Sequence, residues 1–123
     1  MSVSPGDTFL GDPRVSQSTV GHLWIVVEVY TPDLDTCVIA IMANATSGAL
    51  DCDHCCVIER GDHPYISHQS FVYYREMVEI PVENLAHLKQ LEPLSVDLLS
   101  RVRQGLHRSK FTPRGFKSKV PRQ

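Results

Sequence analysis

The stretch HLWIVVEVY, residues 22–30, is a nearly unbroken run of apolar and β-branched residues. A second run of the same character, CVIAIMAN, occupies residues 37–44. Runs of this length and composition predict buried β-strands. Between them lies TPDLD, residues 31–35, in which a proline and two aspartates favour a turn. The two runs therefore predict a pair of buried strands joined by a turn, and this pair decides the fold class.

Shorter strand-like segments lie on both sides of this pair. Their turn and alternation signals place them at residues 8–10, 55–59, 71–74 and 77–80. Together with the two long runs they give five or six short strands joined by turns. We therefore expect a mainly β domain, with a small, strongly bent antiparallel sheet or partly open barrel.

The pattern becomes helical after Pro81. Leucines at 85, 88 and 91 predict one or two helical turns. Ser95 then provides a helix N-cap, and apolar residues follow it at helical spacing up to Leu106. The sequence thus predicts one terminal helix at about residues 95–107 that caps the sheet.

The chain of 123 residues has the size of one domain. We assign residues 1–107 to this domain and residues 108–123 to a basic C-terminal tail. No apolar run approaches the roughly 20 residues of a membrane span, and the N-terminus has no signal-peptide pattern. The expected location is therefore cytoplasmic, with the cysteines reduced.

Charge is divided unevenly along the chain, although the net charge is only −2. Residues 1–97 contain 4 basic and 14 acidic residues, whereas residues 98–123 contain 8 basic residues and no acidic one. This asymmetry has three interpretations: a tail that binds polyanions, a basic segment that docks on the acidic body, or a solvated, partly disordered tail.

Four segments in order resemble the PemK/MazF-like family of growth-inhibitor toxins. They are PGDTFLGD (5–12), HLWIVVEV (22–29), AIMANATSG (40–48) and PLSVDLLSRVRQGL (93–106). The resemblance implies an SH3-like antiparallel barrel with a C-terminal helix. It also implies a toxin of a toxin–antitoxin pair that acts as a metal-independent endoribonuclease.

One departure from the family bears on activity. The second strand of the toxins carries an arginine that stabilises the phosphate, but here the sequence is His22-Leu23-Trp24. Thr46 and Ser47 match the hydroxyl pair that the toxins carry at the end of the next strand. Cleavage of RNA would therefore need a cation and acid–base groups from other positions.

The segment GDHPYISHQSFVYY, residues 61–74, is the richest source of such groups. His63 lies between a turn-forming Asp62 and Pro64, which predicts a fixed position on an exposed loop rim. A histidine can give or take a proton in RNA transesterification without a metal. We favour His22 and His63 as the pair, with His68 as a third candidate. The alternative is that the polar residues only hold the turn.

The predicted catalytic set is His22, Ser47, His63 and Ser70. If these side chains converge in one cleft, the enzyme interpretation gains support. If they are scattered, the chain is better interpreted as a non-enzymatic SH3-like module that binds a protein. Candidate partners are RNA and an antitoxin or other protein, the candidate assembly is a homodimer, and no membrane partner is expected.

Aromatic residues of the same segment alternate in direction. In a strand, Phe71 and Tyr73 face one side, and Val72 and Tyr74 face the other. One tyrosine is expected in the core, and the other could either pack at the sheet edge or stack on a base.

The cysteine cluster CDHCC, residues 52–56, has zinc-finger-like spacing at Cys52 and Cys55. A structural zinc site normally requires a second ligand pair, and no second CxxC or HxxxH motif occurs. We therefore predict no bound metal and no other cofactor. Cys37 and Cys56 are expected to act as small buried apolar residues.

Overall fold

The computed structural model describes residues 2–14, 21–31, 36–45 and 53–122. Within these ranges it has seven strands: β1 (Thr8–Leu10), β2 (Leu23–Tyr30), β3 (Cys37–Ala45), β4 (Val57–Ile58), β5 (Ser70–Val72), β6 (Val78–Pro81) and β7 (Lys89–Leu91). Two helices follow, α1 (Val96–Arg108) and α2 (Phe116–Lys119). Every strand pair is antiparallel. The prediction of a mainly β, antiparallel fold is confirmed.

Strand β3 is the centre of the sheet. It pairs with β2 along one edge, and along the other edge with β6 near its start and β5 near its end. The order across the sheet is β4-β5-β3-β2-β1-β7. The hydrogen bonds among the described strands do not close this sheet into a ring, so the SH3-like barrel remains a prediction.

Both faces of the central strands are buried, as their apolar sequences predict. Leu23, Ile25 and Val27 of β2 point into the larger core, which also contains α1. Trp24 and Val26 point to the opposite face and pack in two smaller clusters. The register between β2 and β3 shifts between Val26 and Glu28, which marks a β-bulge.

Helix α1 forms as predicted. The Ser95 hydroxyl accepts a hydrogen bond of 3.1 Å from the Leu98 N–H, and Leu98, Val102 and Leu106 are buried against the sheet. Arg103 on the same helix is also buried, and its guanidinium donates to the Val27 carbonyl at the bulge from 3.1 and 2.8 Å. None of the helices in the described ranges is long and apolar enough to cross a membrane.

The prediction of helical turns through leucines 85, 88 and 91 is wrong at its end. A 3₁₀ turn covers Val82–Leu85, but Leu91 lies in β7, which pairs with β1. Pairing with another strand has overridden the local spacing. Two predicted strands are also shorter than expected. Of the strand predicted at 55–59 only β4 forms, and the strand predicted at 71–74 ends early because Tyr74 begins a 3₁₀ turn.

The basic C-terminal segment docks on the body of the domain. Val120 is 2% exposed within the larger core, and the His107 Nε2 donates to its carbonyl at 2.6 Å. The Lys119 ammonium forms an ion pair of 2.8 Å with Glu79 of β6. Of the three interpretations of the charge asymmetry, docking on the acidic body matches these contacts.

Candidate functional site: a cleft lined by two histidines

The start of β2, the end of β3 and the segment before β5 enclose a cleft of about 290 Å³. We call it the histidine cleft. The lining residues with polar side chains are His22, Asn44, Tyr65, Ser67, His68 and Ser70.

Strand register explains why these distant residues meet. Leu23 of β2 lies opposite Ala43 of β3, and Ala45 lies opposite Ser70 of β5. Because both pairs are antiparallel, the beginnings of β2 and β5 flank the end of β3. His22 directly precedes β2 and His68 lies two residues before β5, so both imidazoles reach the same edge of the sheet.

The two imidazoles of the cleft are available to a ligand. His22 is half-buried and His68 is exposed. Among the described residues, neither ring has a hydrogen-bond partner, and the same holds for the Asn44 amide. The Ser70 hydroxyl is different, because it donates to the His68 carbonyl at 3.0 Å and is nearly buried. Ser70 therefore shapes the turn and offers its oxygen only as an acceptor.

An acidic residue lies close to His22. Hydrogen bonds from the Arg14 side chain hold the pKa of Asp12 below its usual range, and a charged imidazole at His22 acts in the same direction. The carboxylate of Asp12 accepts from Arg14 at 2.8 and 2.9 Å. The electrostatic environment of His22 thus includes one ionised carboxylate and its arginine partner.

His63 does not occupy the exposed rim that its sequence neighbours suggest. It is 2% exposed, so the prediction of an exposed position is wrong. Its Nδ1 accepts from the Tyr65 N–H at 3.0 Å, and its Nε2 lies 2.6 Å from the Glu92 carbonyl. Because a backbone N–H can only donate, Nδ1 is the unprotonated nitrogen, and Nε2 donates to Glu92. These contacts match the alternative in which the polar residues of this segment hold the turn.

The predicted set is thus only partly brought together. His22 and Ser70 line the histidine cleft, whereas His63 lines a separate depression beside it. Ser47 lies outside the described residues, as do Thr46 and Cys52. Sequence reasoning missed Asn44 and Tyr65 as lining residues, although Asn44 is the one strongly polar residue in the apolar run of β3.

The aromatic residues next to the cleft follow the predicted alternation. The Phe71 and Tyr73 rings contact each other with centroids 5.3 Å apart, and Val72 and Tyr74 lie in the larger core. Tyr74 is fully buried, and its hydroxyl donates to the Val102 carbonyl at 2.7 Å.

Cys55 and Cys56 are poor candidates for nucleophiles. Burial raises the pKa of the Cys56 thiol, and burial together with Asp53 raises that of Cys55. A thiol with a raised pKa carries little of the reactive thiolate at neutral pH. Within the described ranges, no group of three or more histidine, cysteine or acidic side chains is arranged to hold a metal ion.

The fold and the cleft define the molecule as an antiparallel β domain with one long helix and a histidine-lined cleft at a sheet edge. Comparison of the chain with protein-family models, with curated proteins and with solved structures finds no match.

Proposed function

We propose that this chain is a divergent PemK/MazF-like domain that binds RNA in the histidine cleft and cleaves it without a metal ion. The observation that carries the proposal is the pairing of two imidazoles, His22 and His68, in one cleft. Neither ring has a hydrogen-bond partner in the part of the chain that the structure describes. The proposal keeps His22 and Ser70 from the predicted set and replaces His63 with His68.

The proposed SH3-like barrel is supported by the position of β1. This first strand pairs with β2 on one side and with the last strand, β7, on the other. Strand β3 divides its outer edge between β5 and β6, a pairing that allows the sheet to bend at its centre. A bent sheet buries both faces of its central strands, as β2 and β3 do.

The chemistry needs one base and one acid. The base removes a proton from a ribose 2′-hydroxyl, whose oxygen attacks the adjacent phosphorus. The acid protonates the departing 5′-oxygen, which leaves a 2′,3′-cyclic phosphate and a 5′-hydroxyl. A neutral imidazole can accept a proton and an imidazolium can donate one, so two histidines can share these roles. Asn44 and Ser67 can hydrogen-bond the phosphate or sugar, and the basic segment 108–122 can add long-range attraction.

A second candidate function is a non-enzymatic binding module for a protein such as an antitoxin. One observation favours it: among the described lining residues of the cleft, none is an arginine or lysine. Such a cation is what the resembling toxins use to stabilise the phosphate. Either function fits a cytoplasmic protein, and a homodimer is compatible with both.

The test measures cleavage and binding of RNA by the purified protein in the presence of EDTA. His22→Ala and His68→Ala should each reduce the cleavage rate by roughly 10²- to 10⁴-fold, the usual contribution of a positioned proton-transfer group. His54→Ala removes an exposed imidazole outside the cleft and serves as the matched control.

The outcomes separate the two functions. Wild-type protein that binds RNA but leaves it intact would remove the cleavage step from the proposal. Protein that neither binds nor cleaves RNA would favour the protein-binding module. Full activity of both histidine variants would show that the cleft is not the catalytic centre.

A further inference from the structure

A positively charged surface surrounds the half-buried ring of Phe111. The Arg75 guanidinium lies 4.5 Å from the centre of this ring, and the Lys110 ammonium lies 5.6 Å from it. Arg114 and Lys117 follow on the same docked segment, and both side chains are exposed. We call this group of five residues the Phe111 surface.

The positive charge of the Phe111 surface is not cancelled within the described part of the chain. Residues 98–123 contain 8 basic residues and no acidic one. Among the described residues, no carboxylate forms an ion pair with Lys110, Arg114 or Lys117. Exposed cations of this kind neutralise phosphate groups and release their counterions. The surface therefore suits an anionic partner.

The segment that carries these cations is held in place on the domain. Val120 near its end is buried in the larger core. The Thr112 hydroxyl donates to the Leu106 carbonyl at 2.7 Å, and the Phe116 N–H donates to the Pro113 carbonyl at 3.3 Å. The backbone under the cations is thus ordered before a partner binds, which lowers the entropic cost of binding.

The Phe111 surface lies at a distance from the histidine cleft. Ser70 begins β5 and lines the cleft, and Arg75 is the fifth residue after it. A strand rises about 3.3 Å per residue, so Arg75 is at most about 17 Å from Ser70. The other end of the segment is farther away. Lys119 lies 5.8 Å from the centre of the Tyr30 ring at the end of β2, whereas His22 precedes the start of that strand. These two ends of β2 are about 25 Å apart.

We propose that the Phe111 surface is a second phosphate-binding surface, and that the substrate is a single-stranded RNA long enough to reach it from the histidine cleft. A stacked nucleic-acid strand rises about 3.4 Å per nucleotide, so a distance of about 17 to 25 Å corresponds to about five to eight nucleotides. This inference rests on the proposed function, because the cleft holds one end of the RNA.

An anionic membrane fits this surface less well than RNA does. A segment that binds a membrane inserts an apolar face between the lipid headgroups. The large apolar side chains that are exposed in the described region are Tyr65 and Val96, and neither belongs to the Phe111 surface. Its chemistry is therefore that of phosphate contact without apolar insertion.

The test measures binding of RNA of two lengths and does not rely on cleavage. Random-sequence 2′-O-methyl RNAs are used, because a methylated 2′-oxygen cannot attack the phosphorus. Of chains with about 4 and about 12 nucleotides, only the longer can span both sites. Arg114→Gln with Lys117→Gln should weaken binding of the longer RNA by about 25-fold at about 0.1 M salt, the counterion-release contribution of two phosphate contacts. Binding of the shorter RNA in the cleft should not change.

Single variants give a matched control. Lys117→Gln removes one cation of the Phe111 surface and should weaken binding of the longer RNA by about fivefold. Lys89→Gln removes an exposed cation of β7, outside this surface, and should bind both RNAs as the wild type does. Urea denaturation should give the same midpoint for all of these variants, because the replaced side chains are exposed.

The two proposals fail in different ways. If the double variant binds the longer RNA as tightly as the wild type, or loses the same factor at both lengths, the spanning substrate is refuted even where RNA is cleaved. If the wild type binds the longer RNA through Arg114 and Lys117 but cleaves no RNA, the surface is retained and the cleavage step is refuted. Absence of RNA binding at both lengths would refute both proposals. Binding of phosphatidylserine vesicles through the same two residues would then identify a membrane surface instead.

Discussion

At the scale of single residues, the three candidate histidines, His22, His63 and His68, differ in their hydrogen bonds. His63 has both ring nitrogens engaged and is buried, whereas His22 and His68 line a cleft with free rings in the described part of the chain. The sequence correctly indicated a turn at Asp62 and Pro64. It could not show that the ring of His63 meets the Glu92 carbonyl, 29 positions away, because that contact depends on where β7 ends.

The contacts of His63 predict a structural role. His63→Ala leaves the Tyr65 N–H without its acceptor and the Glu92 carbonyl with one donor fewer. An unsatisfied buried polar group costs about 1–3 kcal/mol, so the free energy of unfolding should fall by about that amount. His68→Ala, the exposed control, should change it by no more than about 0.5 kcal/mol. Urea denaturation of both variants checks this. An unchanged midpoint for His63→Ala would mean that its buried contacts contribute nothing to stability.

At the scale of elements, local signals predicted α1 well and β7 badly. Ser95 and the apolar spacing after it are contained within the helix itself, so the sequence alone reveals them. The leucines of 85–91 have the same spacing, but Leu91 finds its hydrogen-bond partner in β1, more than 80 positions earlier. The position of His22 and His68 in the same cleft likewise depends on the register of β2, β3 and β5. This register cannot be read from the sequence.

Gly105 in the middle of α1 shows how packing reverses a helix propensity. Replacing a mid-helix glycine with alanine normally stabilises a protein by about 1 kcal/mol. Here an alanine Cβ would collide with the Tyr74 hydroxyl and lie 2.9 Å from the Cys55 carbonyl. Burial raises the pKa of Tyr74, so its hydroxyl stays protonated and keeps donating to Val102.

We therefore expect Gly105→Ala to destabilise the protein by about 1–3 kcal/mol, the usual cost of overpacking. Urea denaturation measures the change, and Gln104→Ala, at an exposed site on the same helix, is the control. Introducing Tyr74→Phe should reduce the penalty of Gly105→Ala, because one of the two collisions disappears. A gain in stability from Gly105→Ala alone would contradict this account of the packing between α1 and the Tyr74 turn.

At the scale of the whole molecule, the basic C-terminal segment packs on the body of the domain and forms a basic surface. Lys119 is neutralised by Glu79, and the Arg75 guanidinium lies 4.5 Å from the centre of the Phe111 ring. Arg114 and Lys117 remain exposed, and no acidic partner pairs with them among the described residues. Docking therefore fixes the segment without cancelling all of its positive charge.

If the chain binds RNA as proposed, this arrangement predicts how the affinity depends on salt. The logarithm of the binding constant falls linearly with the logarithm of the salt concentration. Each phosphate contact on a single strand adds about −0.7 to the slope of this line. If Arg114 and Lys117 each contact a phosphate, Arg114→Gln with Lys117→Gln should make the slope about 1.4 shallower. Unfolding stability should not change, because both side chains are exposed.

The matched control, Glu79→Gln with Lys119→Gln, keeps the net charge and should keep the salt slope while loosening the docked segment. Binding titrations of a short single-stranded RNA at several salt concentrations measure the slopes. An unchanged slope in the Arg114 and Lys117 double variant would show that neither residue contacts a phosphate.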